Sequence, residues 1–288
     1  MRLALGTQGR YKHTMFRIAI CAPATPIRSE DAARVEALAR AEFPNLQIDF
    51  HPQCFADGGH FAGPDEMRLG ALLACAHSAA DAVWFAKGGY GSNRIVAQAV
   101  EQLGGRRSEQ QWFGYSDGGY LLAAARKHGF ARAVHGPMPV DIRREGGEEA
   151  VRRALGWFSG HREGLEPGLD ERPTVAFNLI TLAMLCGTRF LPDLTGYVVL
   201  VEEVAEHLYA IDRLFFHVTE HLRGIAGLRL GRLSAIPEND RPFGSEPEEI
   251  AREWCKRADV AFLGRADIGH DAGNKIVPFG LAADHARS

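Results

Sequence analysis

One short stretch limits the folds that are open to this chain. Residues 114–118 read Gly-Tyr-Ser-Asp-Gly, between an apolar run at residues 112–113 and a helix-like run that begins at Tyr120. G-x-S-x-G between a strand and a helix holds its serine, here Ser116, on a tight turn with the hydroxyl exposed at the end of a sheet. Its glycines fit such a turn, which strains the backbone and brings helix and strand too close for a Cβ atom. An ordinary glycine-rich strand-to-helix turn is the alternative interpretation of the pentapeptide alone.

Strand-like and helix-like segments alternate around this turn. Apolar strands are predicted at residues 16–22, 46–50 and 82–86, with helical segments between them. The alternation predicts an α/β protein: an N-terminal doubly wound, mostly parallel sheet that carries the nucleophile elbow, plus a smaller C-terminal α/β domain. Ligands bind at the carboxyl ends of the strands of such sheets, and the Ser116 turn should lie at that edge.

The composition excludes several classes of protein. The chain has 288 residues with a formal net charge of −3, which gives no basic face for nucleic acid. No apolar run approaches the roughly 18 residues that a membrane span needs. The five cysteines are scattered without a C-x-x-C pair, which indicates reduced thiols in a cytoplasmic protein.

The chain divides into four predicted segments. We expect residues 1–15 to be a leader or disordered segment, because Met15 directly precedes the first predicted strand. They contain basic residues but no continuous apolar stretch, so they do not resemble a signal peptide. Residues 16–140 form the N-terminal nucleophile domain, residues 141–173 a linker, and residues 174–288 the C-terminal domain. In that last domain we predict strands at residues 174–180, 196–203 and 258–263, and an amphipathic helix at residues 206–223.

A second glycine-rich turn follows the strand at residues 82–86. It lacks the last glycine of G-x-G-x-x-G, because Arg94 stands there, and no Walker lysine follows, so nucleotide binding is disfavoured and no cofactor is expected. A loop that offers backbone amides to an oxyanion fits better. The amides of Asp117 and Gly89 are the candidates for the oxyanion hole.

The predicted helix at residues 206–223 contains His-Val-Thr-Glu-His, formally an H-x-x-E-H zinc signature. Two histidines one turn apart are able to bind a metal. However, His217, Glu220 and His221 lie opposite the apolar stripe, as solvated residues do. We therefore expect no metal site.

Several motifs together resemble one family, the LD-carboxypeptidases, which include the microcin C immunity peptidases. The motifs follow in the family's order from about residue 16 to residue 282, at residues 88–91, 114–117, 135–138, 178 with 187–188, 201–204 with 211–213, 269–270 and 278–280. The resemblance implies a catalytic triad of Ser116, Glu202 and His270, with the serine on the first domain and its partners on the second. It also implies a cytoplasmic homodimer that removes terminal D-alanine from peptidoglycan tetrapeptides during wall recycling.

The match leaves alternatives open, because the family's Pro-Ser pair after the first strand is Pro23-Ala24 here. A hydrolase of the same fold that cleaves another amide, such as a microcin C-like aminoacyl-nucleotide, is one alternative, and Trp157 or Trp254 would then be available for stacking. A binding module without activity, or a metalloenzyme, is another. A terminal carboxylate needs a cationic or amide partner. The cationic candidates that the sequence offers are Lys87, Arg94 and Arg213.

Two adjacent acids compete for His270. Side chains alternate along the predicted strand, so Glu202 and Glu203 point in opposite directions and only one of them reaches the imidazole. Both faces of the strand are apolar, and alternation does not choose between them. We favour Glu202, because the first acid is still held by the sheet while the second begins the following loop, and the family match selects the same residue.

A triad needs no metal, so we predict that turnover is unchanged when metal is removed. The measurement is the activity of the purified protein with and without chelator. Loss of activity in chelator, with recovery on adding zinc, would indicate instead that the H-x-x-E-H motif binds a catalytic zinc ion.

Overall fold

The computed structural model describes residues 15–285, and the predicted leader therefore lies almost entirely outside the described residues. The strands are β1 (Phe16–Cys21), β2 (Leu46–Phe50), β3 (Ala82–Phe85), β4 (Gln111–Gly114), β5 (Arg132–His135), β6 (Thr174–Asn178), β7 (Val198–Val204), β8 (Gly227–Ser234), β9 (Phe262–Arg265) and β10 (Val277–Pro278). The helices are α1 (Ser29–Glu42), α2 (Asp65–His77), α3 (Ser92–Leu103), α4 (Gly119–His128), α5 (Gly147–Phe158), α6 (Leu179–Leu185), α7 (Leu208–His221) and α8 (Pro247–Arg257).

The first sheet has six strands in the order β10-β5-β4-β3-β1-β2. The pairs among β1 to β5 are parallel, and β10 runs antiparallel to β5. β3 and β4 are buried at every residue, which explains their apolar sequences, because helices cover both faces of a parallel sheet. Trp84 of β3 packs on one face of the sheet and Trp112 of β4 on the other.

The second sheet has four parallel strands in the order β6-β7-β8-β9. One continuous apolar cluster joins it to the first domain, since it includes Leu121 of α4, Phe177 of β6 and Phe215 of α7. This architecture confirms the predicted fold class. Among residues 15–285, no helix is long and apolar enough to cross a bilayer.

The predicted boundaries differ from the structure around the linker. Residues 141–173 contain α5, and its Val151, Ala154 and Leu155 are buried in the core of the first domain. The C-terminal segment also returns to the first sheet, where Val277 of β10 pairs with His135 of β5. The two domains are therefore joined by chain crossings at both ends of the second one.

The sequence analysis missed β8 and placed β9 too early. Arg229 and Arg232 interrupt the apolar pattern of β8, and they are accommodated because they form ion pairs with Glu166 and Asp267. These pairings come from distant parts of the chain and leave no local signal.

Candidate active site

Ser116 follows β4 in a backbone conformation that residues other than glycine seldom adopt. Its φ is +57°, in the left-handed region. A Cβ atom at Gly114 or Gly118 would come within 2.8 Å or 2.9 Å of the Phe85 ring. The two glycines thus let strand, turn and helix pack together, and the turn presents the Ser116 hydroxyl at the carboxyl edge of the sheet.

The imidazole of His270 lies between Ser116 and Glu202. Its Nε2 is 3.0 Å from Ser116 Oγ, and its Nδ1 is 2.5 Å from Glu202 Oε2. Because an ionised carboxylate only accepts hydrogen bonds, Nδ1 carries the proton, and Nε2 is left to accept the hydrogen bond of the hydroxyl. This is the arrangement in which a serine can be activated as a nucleophile.

Burial determines the electrostatics of the hydrogen-bonded side chains Glu202, His270 and Ser116. Glu202 is fully buried, and within residues 15–285 its Oε1 has no hydrogen-bond partner. Burial lowers the pKa of His270, but the charge of Glu202 and the hydrogen bond to it outweigh burial, so the pKa of His270 is raised above its ordinary value. The same interaction stabilises the imidazolium that forms when His270 takes a proton.

Buried polar contacts fix the loop that carries His270. Asn274 Oδ1 accepts a hydrogen bond from the backbone N–H that precedes His270 and lies 3.1 Å from His135 Nε2. Burial lowers the pKa of His135 to about 4, so His135 is neutral at pH 7 and donates to the amide oxygen. Arg232 holds the other side of the loop through its ion pair with Asp271. The imidazole is therefore oriented before substrate binds.

Glu203 points to the opposite face of β7 from Glu202. Its carboxylate accepts hydrogen bonds from Asn178 Nδ2 at 2.6 Å and from the Ile180 amide at 2.8 Å, at the start of α6. Burial raises its pKa to about 7. The sequence argument that Glu203 begins a loop is wrong, because β7 extends through Val204. The face of the strand, rather than the end of the strand, separates the two acids.

The glycine-rich turn after β3 packs against the Ser116 turn. A Cβ atom at Gly88 would lie 3.2 Å from Ser116 Oγ. Thr25 Oγ1 donates to the Gly88 carbonyl at 2.6 Å, so the trans peptide directs the Gly89 N–H away from Thr25. The Asp117 carboxylate accepts hydrogen bonds from two backbone amides at the start of α3, which ties the two turns together.

A cavity of about 240 Å³ opens beside Ser116 and His270. Four charged side chains line it: Lys87, Asp141, Arg143 and Arg144. Arg143 and Arg144 are ion-paired with Asp31 and Asp141, whereas no ion pair involves Lys87 in the described part of the chain. Burial and the Arg143 charge lower the pKa of Lys87. The cavity therefore holds an excess of positive charge that favours a bound anion.

Of the three cations predicted for a terminal carboxylate, only Lys87 lines this cavity. Arg94 instead pairs with a carboxylate of α2, and Arg213 lies over a tyrosine ring of α7. Sequence reasoning missed Arg144, because it lies in the segment predicted as a linker. Its position depends on Asp141, to which its Nε donates at 2.8 Å.

The two tryptophans considered for nucleotide stacking lie elsewhere. Trp157 is buried in the core of the first domain, where its Nε1 donates to Gln111. Trp254 lies on α8 and donates to Asp212 of α7. The cavity beside Ser116 is lined instead by Tyr115, whose ring centroid is 4.9 Å from that of His270.

The histidines of the H-x-x-E-H motif are separate from this cavity. His217 is half-buried rather than solvated as expected, while Glu220 and His221 are exposed. None of the three lines the Ser116 cavity.

Fold and geometry together define a class: a two-domain α/β serine hydrolase in which Ser116 follows a strand of one sheet and Glu202, which binds His270, lies on a strand of the other. Comparison with family models identifies the family. The model of the LD-carboxypeptidase N-terminal domain matches residues 18–136, and the model of the LD-carboxypeptidase C-terminal domain matches residues 173–284. The chain belongs to the LD-carboxypeptidase family of serine peptidases, which confirms the resemblance found in the sequence.

Individual relatives agree with this assignment. The chain is 27% identical to the murein tetrapeptide carboxypeptidase of Pseudomonas aeruginosa, over 93% of this chain and 92% of that protein. It is 26% identical to a probable murein peptide carboxypeptidase of Bacillus subtilis, over 92% and 87% of the two chains. The fold is similar to that of the muramoyltetrapeptide carboxypeptidase of Oxalobacter formigenes (TM-score 0.75, 22% identity, 91% and 93% covered). It is also similar to that of MccF in complex with glutamyl sulfamoyl guanosine (TM-score 0.74, 14% identity, 93% and 92% covered).

The two adjacent acids give a matched test of the site. We predict that Glu202→Gln lowers kcat by roughly 10²–10⁴-fold, because the amide no longer stabilises the imidazolium of His270. Glu203→Gln should cost far less kcat, since Glu203 contacts α6 and not the imidazole. Steady-state kinetics of both variants on one substrate compare them directly. A larger loss of kcat in Glu203→Gln would overturn the assignment.

Proposed function

We propose that this chain is an LD-carboxypeptidase that releases the terminal D-alanine of murein tetrapeptides, with Ser116, His270 and Glu202 as its triad. The observation that carries the proposal is the pair of hydrogen bonds that join Glu202 to His270 and His270 to Ser116. Both His270 and Ser116 line a positively charged cavity. The names of the Pseudomonas and Bacillus relatives support the substrate class.

The triad supplies each proton transfer of the reaction. Ser116 Oγ attacks the carbonyl carbon of the L,D-amide while His270 Nε2 takes the hydroxyl proton. The tetrahedral intermediate collapses, the C–N bond breaks, and the imidazolium returns the proton to the leaving amine of D-alanine. Water then attacks the acyl-enzyme with His270 as general base, which releases the shortened peptide and restores Ser116.

The oxyanion of the tetrahedral intermediate needs two donors, and we assign them to the backbone amides of Asp117 and Gly89. Asp117 follows the nucleophile at the start of the turn into α4, where the helix N-terminus favours negative charge. The Gly89 amide belongs to the turn that packs on Ser116, and its orientation is fixed by the bond of Thr25 to the preceding carbonyl. Thr25, which follows Pro23-Ala24, thus orients the Gly88–Gly89 peptide at the site.

Lys87 is our candidate for binding the terminal carboxylate of the substrate. It lies at the end of β3, lines the cavity, and is placed among guanidinium groups that already have carboxylate partners. A substrate carboxylate would pair with the Lys87 ammonium and relieve the repulsion between these cations. In a carboxypeptidase substrate the scissile bond is one residue from the terminal carboxylate, and both Lys87 and Ser116 line the same cavity.

The structure offers less support for an aminoacyl-nucleotide substrate. The likeness to MccF is one of fold, and neither Trp157 nor Trp254 lines the cavity. Tyr115 does line it, but the side chain is 1% exposed and its hydroxyl donates to Asp141, so the ring face is not free to stack on a base.

A cytoplasmic role in wall recycling and a homodimeric state complete the proposal. All five cysteines are free and buried, which suits a reducing compartment. Four large apolar side chains of α6 and α7 are exposed, and a dimer contact would cover some of them: Ile180, Met184, Tyr209 and Phe216.

Ser116→Ala is expected to lower D-alanine release by at least about 10³-fold, because it removes the nucleophile. Mass spectrometry of D-alanine released from murein tetrapeptide measures the effect, with an otherwise identical peptide ending in L-alanine as the substrate control. The melting temperature should stay near that of the wild type, since the turn glycines are untouched. Retention of more than a few per cent of wild-type activity would exclude Ser116 as the nucleophile.

Lys87→Met should raise KM by roughly 10-fold or more while kcat changes little, because it removes a charge that binds substrate and not a group that reacts. Arg94→Gln is the matched control, as Arg94 is a cation after the same strand that pairs outside the cavity. Equal KM values for wild type and Lys87→Met would show that Lys87 does not bind the substrate carboxylate.

A further inference from the structure

Three potential metal ligands meet at the C-terminal end of α6. Cys186 caps this helix, and His217 and His221 lie one turn apart on α7. One ligand atom from each side chain lies within 4.8 Å of the other two. The cluster is separate from the Ser116 cavity, which none of the three lines.

We propose that Cys186, His217 and His221 form a zinc site whose fourth position is open to solvent. One thiolate and two imidazoles are ligands that Zn²⁺ prefers, whereas Mg²⁺ and Ca²⁺ prefer oxygen. Ligand atoms around tetrahedral zinc are separated by about 3.5 Å, given bonds of roughly 2.0–2.3 Å. Closing the observed spacing requires only small side-chain rotations, since His221 is exposed and His217 half-buried.

A hydrogen bond already orients His221 for this role. Its Nδ1 lies 2.9 Å from the backbone carbonyl of His217, and a carbonyl only accepts, so Nδ1 carries the proton. Nε2 then has a free lone pair, as in metal-binding histidines whose other nitrogen donates to a carbonyl. A Cβ atom at Gly187 would lie 3.9 Å from this Nε2, so the lone pair is beside the backbone that follows Cys186.

The site departs from the zinc motif that the sequence suggests. Glu220 does not join the cluster, and the third ligand is Cys186 from a different helix. The ring centroids of His217 and His221 are 4.3 Å apart, so the pair is assembled before any metal arrives. Burial raises the pKa of the Cys186 thiol to about 11, so bound zinc has to displace its proton, as at other thiolate sites.

The position of the cluster keeps the proposed metal away from the triad. Cys186 follows α6 and Asn178 precedes it, eight residues apart, so Cys186 is about 12 Å along the helix axis from the end where Glu203 accepts its hydrogen bonds. Zinc would join the end of α6 to α7 and stabilise the second domain without entering the triad. Turnover would then remain independent of metal while unfolding would not.

Titration of the metal-free, full-length protein with Co²⁺ tests the proposal. One equivalent should produce a thiolate-to-cobalt charge-transfer band together with the intense visible bands of four-coordinate cobalt, and Zn²⁺ should abolish both. At about 100-fold excess over its Kd, Zn²⁺ should raise Tm by roughly 5 °C, while Mg²⁺ leaves Tm unchanged. Absence of a charge-transfer band at saturating Co²⁺, or no change of Tm with Zn²⁺, would overturn the zinc site.

Three variants assign the ligands. Cys186→Ala should abolish the charge-transfer band, and His221→Gln should weaken Zn²⁺ binding by roughly 10–100-fold or more. Glu220→Gln is the matched control, and its zinc affinity should equal that of the wild type. His221 is exposed, so its variant tests the site even if Cys186→Ala destabilises the core. A band that persists in Cys186→Ala, or an affinity loss in Glu220→Gln as large as in His221→Gln, would contradict the assignment.

D-alanine release by the metal-free and zinc-loaded forms separates this inference from the proposed function. Equal rates are expected. Zinc-dependent turnover would contradict a metal that takes no part in the triad's reaction. Failure to release D-alanine in both forms would instead contradict the proposed function and leave the cobalt result standing.

Discussion

The hydrogen bond between His270 and Ser116 crosses the junction of two sheets, and the site exists only while these sheets keep their relative position. Ser116 follows β4 of the first sheet, and Glu202, which holds His270, is on β7 of the second. A displacement of 1 Å would break a contact of 3.0 Å. The continuous apolar cluster and the return of β10 to the first sheet resist that displacement.

Two buried carboxylates on adjacent residues would repel each other if both were charged without partners. In the structure the two carboxylates have different hydrogen-bond partners. Glu202 faces the imidazole, whose positive form it stabilises, while Glu203 faces the start of α6 and accepts hydrogen bonds there. Burial raises the pKa of Glu203 to about 7, so near neutral pH it is partly protonated and adds less negative charge beside Glu202.

The cavity is charged because its cations outnumber the acids near them. Asp141 accepts hydrogen bonds from Tyr115 and Arg144, so one carboxylate organises both the wall beside His270 and the cationic rim. Lys87 keeps its charge uncompensated by any ion pair among the described residues. The uncompensated charge lies in the cavity that exposes the Ser116 hydroxyl, where it favours a bound anion.

The sequence by itself determined the parallel sheet, the serine turn and the order of the family's motifs, because apolar runs, glycines at a tight turn and helical spacing are local. It also limited the partner of His270 to two adjacent acids. Only the tertiary structure decided which acid faces the imidazole, that α5 and β10 belong with the first sheet, and that Arg144 lines the cavity. The proximity of Cys186 to the histidines of α7 is likewise evident only from the tertiary structure. Each of these contacts joins residues that are far apart in the chain, and spacing along a sequence carries no information about which distant segments a common core will bring together.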